Sequence, residues 1–303
     1  MAVTKNVIKN KVQGARFMKK DLTGWLIMLP TILLFAFFVW EPLIESIRLS
    51  LYTAKGIRLV EFVGLQNYVK VLRHPDFLDA FSNTFIYIFW SLIIGFLVPI
   101  FLAVLIMETT HFKSLFRIGV YLPNIMPGLA TVLMWGFFFR PGNTGVLNIL
   151  LDKIGIPAQV WLSNPHWTIP LIVIAMTWKG AGSTALIYMA AISGINPELY
   201  EAATLDGAGI LKRMRFITFP SIFSLGKTLL ILQIIAVFQI IYEPLVMTNG
   251  GPNNASISIM QLVYNYAFRD FNYPMASALS VMMSIVLIIL SGLYFKITAS
   301  REN

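Results

Sequence analysis

Few side chains in this sequence are of a kind that does chemistry, and their spacing limits what they can do. There is no cysteine, which excludes disulfides, thiolate metal sites and cysteine nucleophiles and leaves the redox compartment undetermined. The three histidines, His74, His111 and His166, stand in three different polar segments rather than at ligand spacing, so no metal site is expected. No paired carboxylates or nucleophile-base constellation stands out either, so no catalytic residue is assigned. The octapeptide Ser-Ile-Phe-Ser-Leu-Gly-Lys-Thr at 221–228 looks like the end of a phosphate-binding loop. However, Ser221 replaces the first required glycine and the segment enters an apolar run instead of following a strand. It is read as a coincidence, with Lys227 snorkelling to the inner interface.

What remains is a handful of polar groups inside apolar stretches. Lys179 falls near the middle of such a stretch, where a charge costs about 2.5–3.5 kcal/mol on insertion scales, so it should face protein or water. Ser183 follows one turn later on the same face. Alternatively the stretch is shifted along the membrane and Lys179 snorkels outward. Gln239, Tyr242 and Glu243 would share a helix face by i, i+3, i+4 spacing, and an aromatic beside hydrogen-bonding groups suits a hydroxyl-rich ligand. Glu243 precedes Pro244, however, and a helix break or a subunit interface would explain it equally well.

The elements that must hold these residues follow from composition. The chain has 303 residues, of which 57% are hydrophobic and only 12% charged, against roughly a quarter charged in soluble domains. It is therefore an integral membrane protein. Six apolar runs reach the roughly 20 residues a helical span needs, at about 22–44, 83–107, 116–138, 168–192, 226–247 and 276–297. Helices are required because backbone groups in lipid must be satisfied within the segment. Trp25 and Trp40 bracket the first run as interfacial anchors, and Pro99, Pro123 and Pro127 predict kinks in spans two and three. Ser277, Ser280, Ser284 and Ser291 form a small-residue stripe on span six that suits close helix packing.

Lysine and arginine placement sets orientation. With the N-terminus in the cytoplasm, fourteen of the 23 basic residues lie inside, beginning with Lys5, Lys9, Lys11, Arg16, Lys19 and Lys20. Eight lie outside, five of them in the first outer loop, and Lys179 is intramembrane. Both termini are expected to be cytoplasmic, and the formal charge of +9 is thereby explained by topology rather than by nucleic acid. The first run is too long for a signal peptide and lacks a small-x-small cleavage site, so it is read as a retained span. Of the outer loops, 64–72 is expected to form a short interfacial helix. The loops 141–167 and 249–269 are expected to face outward as a landing surface.

This topology places 193–221 in the cytoplasm. The segment starts as a helix should, with Asn196 as cap, Pro197 in the first turn, and Glu198 and Glu201 near the positive end of the dipole. Gly207 or Gly209 should stop it. Lys212, Arg213 and Arg215 are then expected to anchor the chain at the membrane surface before Pro220 leads into span five.

Within 201–220, Glu201-Ala202-Ala203 is followed after three residues by Gly207, after nine more by Ile217, and then by Phe219-Pro220. This resembles the signature of the membrane subunits of binding-protein-dependent ABC importers, with Phe219 in place of the usual leucine. Phe-Val-Gly-Leu-Gln-Asn-Tyr at 62–68, the stretch 178–182, Asp-Gly-Ala at 206–208 and Thr-Asn-Gly-Gly-Pro at 248–252 look like the carbohydrate-uptake class. They are similar to the maltose and glycerol-phosphate importer permeases. The resemblance runs from about residue 22 to the end.

It implies an all-α integral membrane fold with six transmembrane helices, N- and C-termini cytoplasmic, and a cytoplasmic coupling helix between spans four and five. The implied organisation is an N-terminal arm (1–21), a membrane domain (22–297) whose coupling loop is 193–221, and a tail (298–303). Glu201, Ala202, Ala203, Asp206 and Gly207 would contact the ATPase: a charge for a basic group, small residues for close approach, and a turn. Lys179, Ser183, Gln239, Tyr242 and Glu243 are the candidates for the substrate path. The chain itself would bind no cofactor. ATP and magnesium would sit in two ATP-binding subunits, and the other implied partners are a second homologous permease, an extracytoplasmic binding protein, a sugar or oligosaccharide, and membrane lipid. Localisation would be the prokaryotic cytoplasmic membrane. A secondary transporter for a polar solute is the alternative, but repeated halves with interrupted helices and paired intramembrane acids are absent or weak.

Overall fold

The computed structural model describes residues 23–56, 58–109 and 111–299. The expected N-terminal arm with its basic residues, and residues 300–303 of the expected tail, lie outside the described residues. The chain is mostly helical. Five helices are long and apolar enough to cross a membrane: α1 (Thr23–Ser50), α3 (Pro75–Glu108), α7 (Pro165–Ser193), α9 (Ile210–Phe238) and α12 (Tyr273–Thr298). A bent pair, α4 (Lys113–Ile125) and α5 (Gly128–Phe138), makes a sixth candidate if it counts as one span.

Between α1 and α3 lie a hairpin, β1 (Tyr52–Lys55) with β2 (Arg58–Phe62), and α2 (Gln66–Arg73). A short helix expected at 64–72 is present as α2; the hairpin was not expected. Short helices α6 (Val146–Asp152), α8 (Pro197–Leu205), α10 (Tyr242–Met247) and α11 (Ile259–Tyr264) complete the fold.

Proline shapes these helices in two ways. Within a helix it cannot donate to the carbonyl four residues back and its ring crowds that carbonyl. Pro42, Pro99 and Pro220 would meet Phe38, Gly95 and Phe216, and all three of those residues lie in π-helical turns, at Ala36–Trp40, Ser91–Gly95 and Met214–Thr218. The wider turn absorbs the mismatch, so Pro99 sits in a continuous helix. Pro127 acts through its predecessor: Met126 is pushed to ψ 137° and Pro127 itself has ψ 135°, as the clash with proline Cδ demands. Two extended residues in succession bend the pair by 97°. The expected single kinked span at 116–138 is therefore a broken one.

The expected fifth span is also corrected. α9 stops at Phe238, Gln239 and Ile241 leave helical geometry, and α10 begins separately at Tyr242. Ser258 donates its hydroxyl to the freed Ile240 carbonyl at 2.5 Å, which holds the break open. Gln239 thus does not share a helical face with Tyr242 and Glu243.

Helix α7 forms the centre, with Ile169, Ile172, Val173, Ala185, Tyr188 and Met189 buried against α3 and α9. A second cluster joins Phe77 and Ala80 of α3 to Ile259 and Leu262 of α11 and Ala278 and Leu279 of α12. The serine stripe lies in this packed helix: Ser277 is buried, and Ser280 and Ser284 donate to the carbonyls one turn back, both at 2.9 Å. In contrast, residues 23–44 of α1 are exposed throughout.

Segment 249–262 departs from its expected outward-facing role. Ser256, Ile257, Ser258 and Gln261 are buried, Tyr87 donates to the Ser256 carbonyl at 2.9 Å, and Asn83 donates to those of Asn254 and Ile257. The loop is wedged into the bundle because polar side chains of α3 satisfy its backbone. Within 249–269, Asn249, Asn253, Phe268 and Arg269 are exposed.

Candidate functional site

Two groups of sequence-selected residues lie far apart in the fold. The first is built on α8. Asn196 accepts from the Glu198 backbone N–H at 3.1 Å, and Pro197 occupies the first turn, where its missing donor costs nothing. At the other end Ala208 N–H donates to the Ala203 carbonyl at 2.8 Å and Gly207 N–H to that of Thr204 at 3.0 Å. These are the two bonds of a Schellman cap, with Gly207 at φ +74° in the left-handed position such a cap needs. Gly209 instead starts the next helix with ψ 173°.

Glu201, Ala202 and Asp206 are exposed, and Ala203 is half-buried. Leu205 is 89% exposed and Leu211, just beyond the turn, 80%. Behind α8 a cavity of about 410 Å³ is bounded by Glu108, Ser193, Tyr200, Glu201, Arg213 and Thr218. Arg213, expected as a surface anchor beside Lys212 and Arg215, is only 20% exposed. It turns into this cavity and pairs with Glu108, a partner 105 residues away that nothing in the local sequence announces.

The second group gathers at the break between α4 and α5. A Cβ placed on Gly128 would lie 3.2 Å from Lys179 Nζ and 3.2 Å from Tyr242 Cε1. The ammonium and the phenol ring therefore converge on a glycine at the start of α5, a residue that sequence reasoning missed. Glu243 lies within electrostatic reach of Lys179. Ser183 is one turn from Lys179, but its hydroxyl donates to the Gly180 carbonyl at 2.8 Å. Gln239 is exposed at the end of α9, separated in the chain from α10 by the helix break.

A further polar feature was also missed. Gln233 donates to the Ser91 carbonyl at 2.8 Å, inside a cavity of about 260 Å³ bounded by Ser91, Gly95, Thr177, Gly180, Thr184 and Gln233. That carbonyl lies in the π turn before Pro99, where regular helix bonding is interrupted. Proline spacing was thus the available signal.

The octapeptide at 221–228 is helical, within α9, and Lys227 lies 5.5 Å from the Phe223 ring. Among the described residues, no group of three or more His, Asp or Glu side chains is placed to hold a metal ion.

Comparison with known proteins agrees with the resemblance. The family described as "Binding-protein-dependent transport system inner membrane component" matches residues 62–301. The chain is 32% identical to the lactose transport system permease protein of Rhizobium radiobacter, over 93% of this chain and 95% of that one. It is 28% identical to the arabinooligosaccharides transport system permease protein of Bacillus subtilis (strain 168), over 95% and 92%. Among solved structures, a chain of the bacterial alginate ABC transporter, in complex with a periplasmic protein bound to alginate pentasaccharide, superposes with a TM-score of 0.83. It is 26% identical, with 93% of this chain and 96% of that chain covered.

Proposed function

The chain belongs to the family of inner-membrane components of binding-protein-dependent transport systems, so it is the permease subunit of an ABC importer and ATP is hydrolysed by its partner subunits. From that premise we propose that it forms, with a second homologous permease, the path for a sugar or oligosaccharide delivered by an extracytoplasmic binding protein. In this reading the bent pair counts as one of six spans, both termini are cytoplasmic, and α8 is the cytoplasmic coupling helix. Two ATP-binding subunits holding ATP and magnesium dock there.

One observation carries the reading: α8 is a capped helix rooted between two long apolar helices, ending in a left-handed glycine. Exposed leucines flank its end. Apolar side chains grouped beyond a membrane bundle mark a protein contact, and Glu201 and Asp206 add charge to it. A rigid helix so rooted turns closure of the ATPase into rotation of α7 and α9. The bare surface of 23–44 supports a second permease, which together with lipid would cover α1.

Lys179 and Tyr242, converging on Gly128, with Glu243 beside them in the sequence of α10, are the part of the path we assign with most support from geometry. Ser183 and Gln239 are assigned to its margins. Relatives that carry lactose and arabino-oligosaccharides support a saccharide cargo.

The test of cargo is ATPase stimulation in the assembled complex with its binding protein, using lactose, arabino-oligosaccharides and alginate oligosaccharides. Stimulation by at least one saccharide is expected, and stimulation only by non-carbohydrate solutes would overturn the reading. Native mass spectrometry of the coexpressed complex should give two unequal permease masses; full transport by a homodimer of this chain would refute the heterodimer. Lys179→Met should leave folding intact but change saccharide-stimulated ATPase by roughly 10- to 100-fold, as loss of a charged contact of about 1.5–3 kcal/mol implies. Normal kinetics in that variant would remove Lys179 from the path.

A further inference from the structure

Glu108 is the last residue of α3, where the negative end of the helix dipole disfavours a carboxylate. Lys113 covers part of that end, its Nζ donating to the Met107 carbonyl at 3.2 Å. Arg213 covers the carboxylate itself. Its Nη2 donates to Glu108 Oε2 at 2.5 Å, and the two side chains are only 20% and 27% exposed, so salt screens the pair weakly.

The same guanidinium donates through Nη1 to Thr204 Oγ1 in α8, at 3.3 Å. Thr204 donates its own hydroxyl proton to the Tyr200 carbonyl at 2.7 Å, leaving its oxygen free to accept. One turn earlier on α8, the Tyr200 hydroxyl shares a hydrogen bond of 2.9 Å with Thr218. Thr218 also donates at 3.5 Å to the Arg213 carbonyl, across the π turn Met214–Thr218. Helix α8 is thus tied at two successive turns to the start of α9, and through Arg213 to the end of α3.

The covalent chain joins α8 to α7 and α9 but gives it no hold on α3. That hold is made by side chains, and α3 also carries Ser91 and Gly95 of the cavity between α3, α7 and α9 that holds Gln233. We propose that Arg213 is a positioning residue that locks α3 to α8 through Glu108 and Thr204, so that displacement of α8 moves the wall of that cavity. The inference rests on the reading of α8 as the ATPase contact.

The test uses the natural absence of cysteine. Spin labels are placed on Leu105→Cys in α3 and Leu199→Cys in α8, both exposed, in the complete transporter with its ATP-binding subunits. The interlabel distance is measured by electron paramagnetic resonance without nucleotide and after trapping with ATP and vanadate.

With the wild-type pair the distance should be the same in both states. In Arg213→Met it should differ between them by about 1–2 Å or more, the size of helix shifts at interfaces. Glu108→Gln, which keeps shape and removes charge, should do the same if Arg213→Met fails to fold. The exchange Glu108→Arg with Arg213→Glu should restore the single distance.

An equal change in the wild-type pair, or an unchanged distance in both single variants, would overturn the proposal. So would loss of the ATP-binding subunits from Arg213→Met, which would make the arginine a docking residue. Retention of those subunits by Gly207→Val in parallel samples would overturn the docking reading instead, so the two failures are distinguishable.

Discussion

Gly207→Val is expected to release the ATP-binding subunits and to abolish uptake, while membrane insertion and docking of the binding protein stay intact. The physical reason is local. Gly207 has φ +74°, and a Cβ there would meet nothing within 4 Å, so the penalty is backbone strain rather than collision. An L-residue in the left-handed region costs about 1–2 kcal/mol, and a β-branched one is a genuine outlier. The chain can relieve that strain only by giving up the Schellman bonds from Gly207 and Ala208, which redirects Leu205 and Leu211. A loss of about 1.4 kcal/mol at the docking surface is already tenfold in affinity. Glu201→Ala should act in the same direction but less severely, since it removes one exposed charge and leaves the turn. Copurification of the ATPase and uptake into membrane vesicles are the measurements. Wild-type values for both in Gly207→Val would show that this segment does not couple.

Gly182→Ala is expected to destabilise the membrane domain itself. A Cβ on Gly182 would lie 2.1 Å from the Val120 carbonyl oxygen, 2.7 Å from its carbon and 2.9 Å from Tyr121 Cα. All three are backbone atoms, so no side chain can rotate away and α7 must separate from α4. Overpacking of a tight contact costs about 1–3 kcal/mol, occasionally more, and here it falls on the central helix. The expected result is a lower unfolding temperature in detergent and a reduced yield of folded protein. Gly180→Ala is the control: two residues away, with nothing within 4 Å of its Cβ, it should be neutral or gain up to about 1 kcal/mol of helix propensity. Equal stability of the two variants would sink the contact as a packing constraint.

The segment that forms α8 was the most legible part of the molecule because its information is local. Asn196, Pro197 and Gly207 each act on backbone groups a few residues away, so cap, first turn and stop could be read from order alone. Arg213 was misread for the opposite reason. Its neighbours Lys212 and Arg215 suggested a basic surface anchor, whereas its partner Glu108 comes from another helix. The helix face assumed for Gln239, Tyr242 and Glu243 failed because helical periodicity presumes a continuous helix. Pro244 was a warning, but the break begins at Gln239, where Ser258 from a distant loop accommodates it. The same limit explains Pro127, which was noticed but taken as a kink. A proline marks where helix bonding is lost, and the surrounding packing decides whether a π turn or a 97° break follows.

By itself the sequence determined the solvent, the family and the number of apolar runs. Hydrophobic length is set by bilayer thickness, and the spacing of Glu201, Gly207 and Pro220 is a property of one short segment. Only the tertiary structure decided that α7 is the buried centre, that the loop before α11 folds inward, and that Lys179 and Tyr242 meet over Gly128. It also decided that α3 is held to α8 by Glu108 and Arg213. These are contacts between residues far apart in the chain, and in lipid, where the spans are predominantly apolar on their protein-facing and lipid-facing sides alike, hydrophobicity cannot tell one surface from the other. Close approach, paired charge and satisfied backbone groups make that choice, and they exist only once the helices are packed.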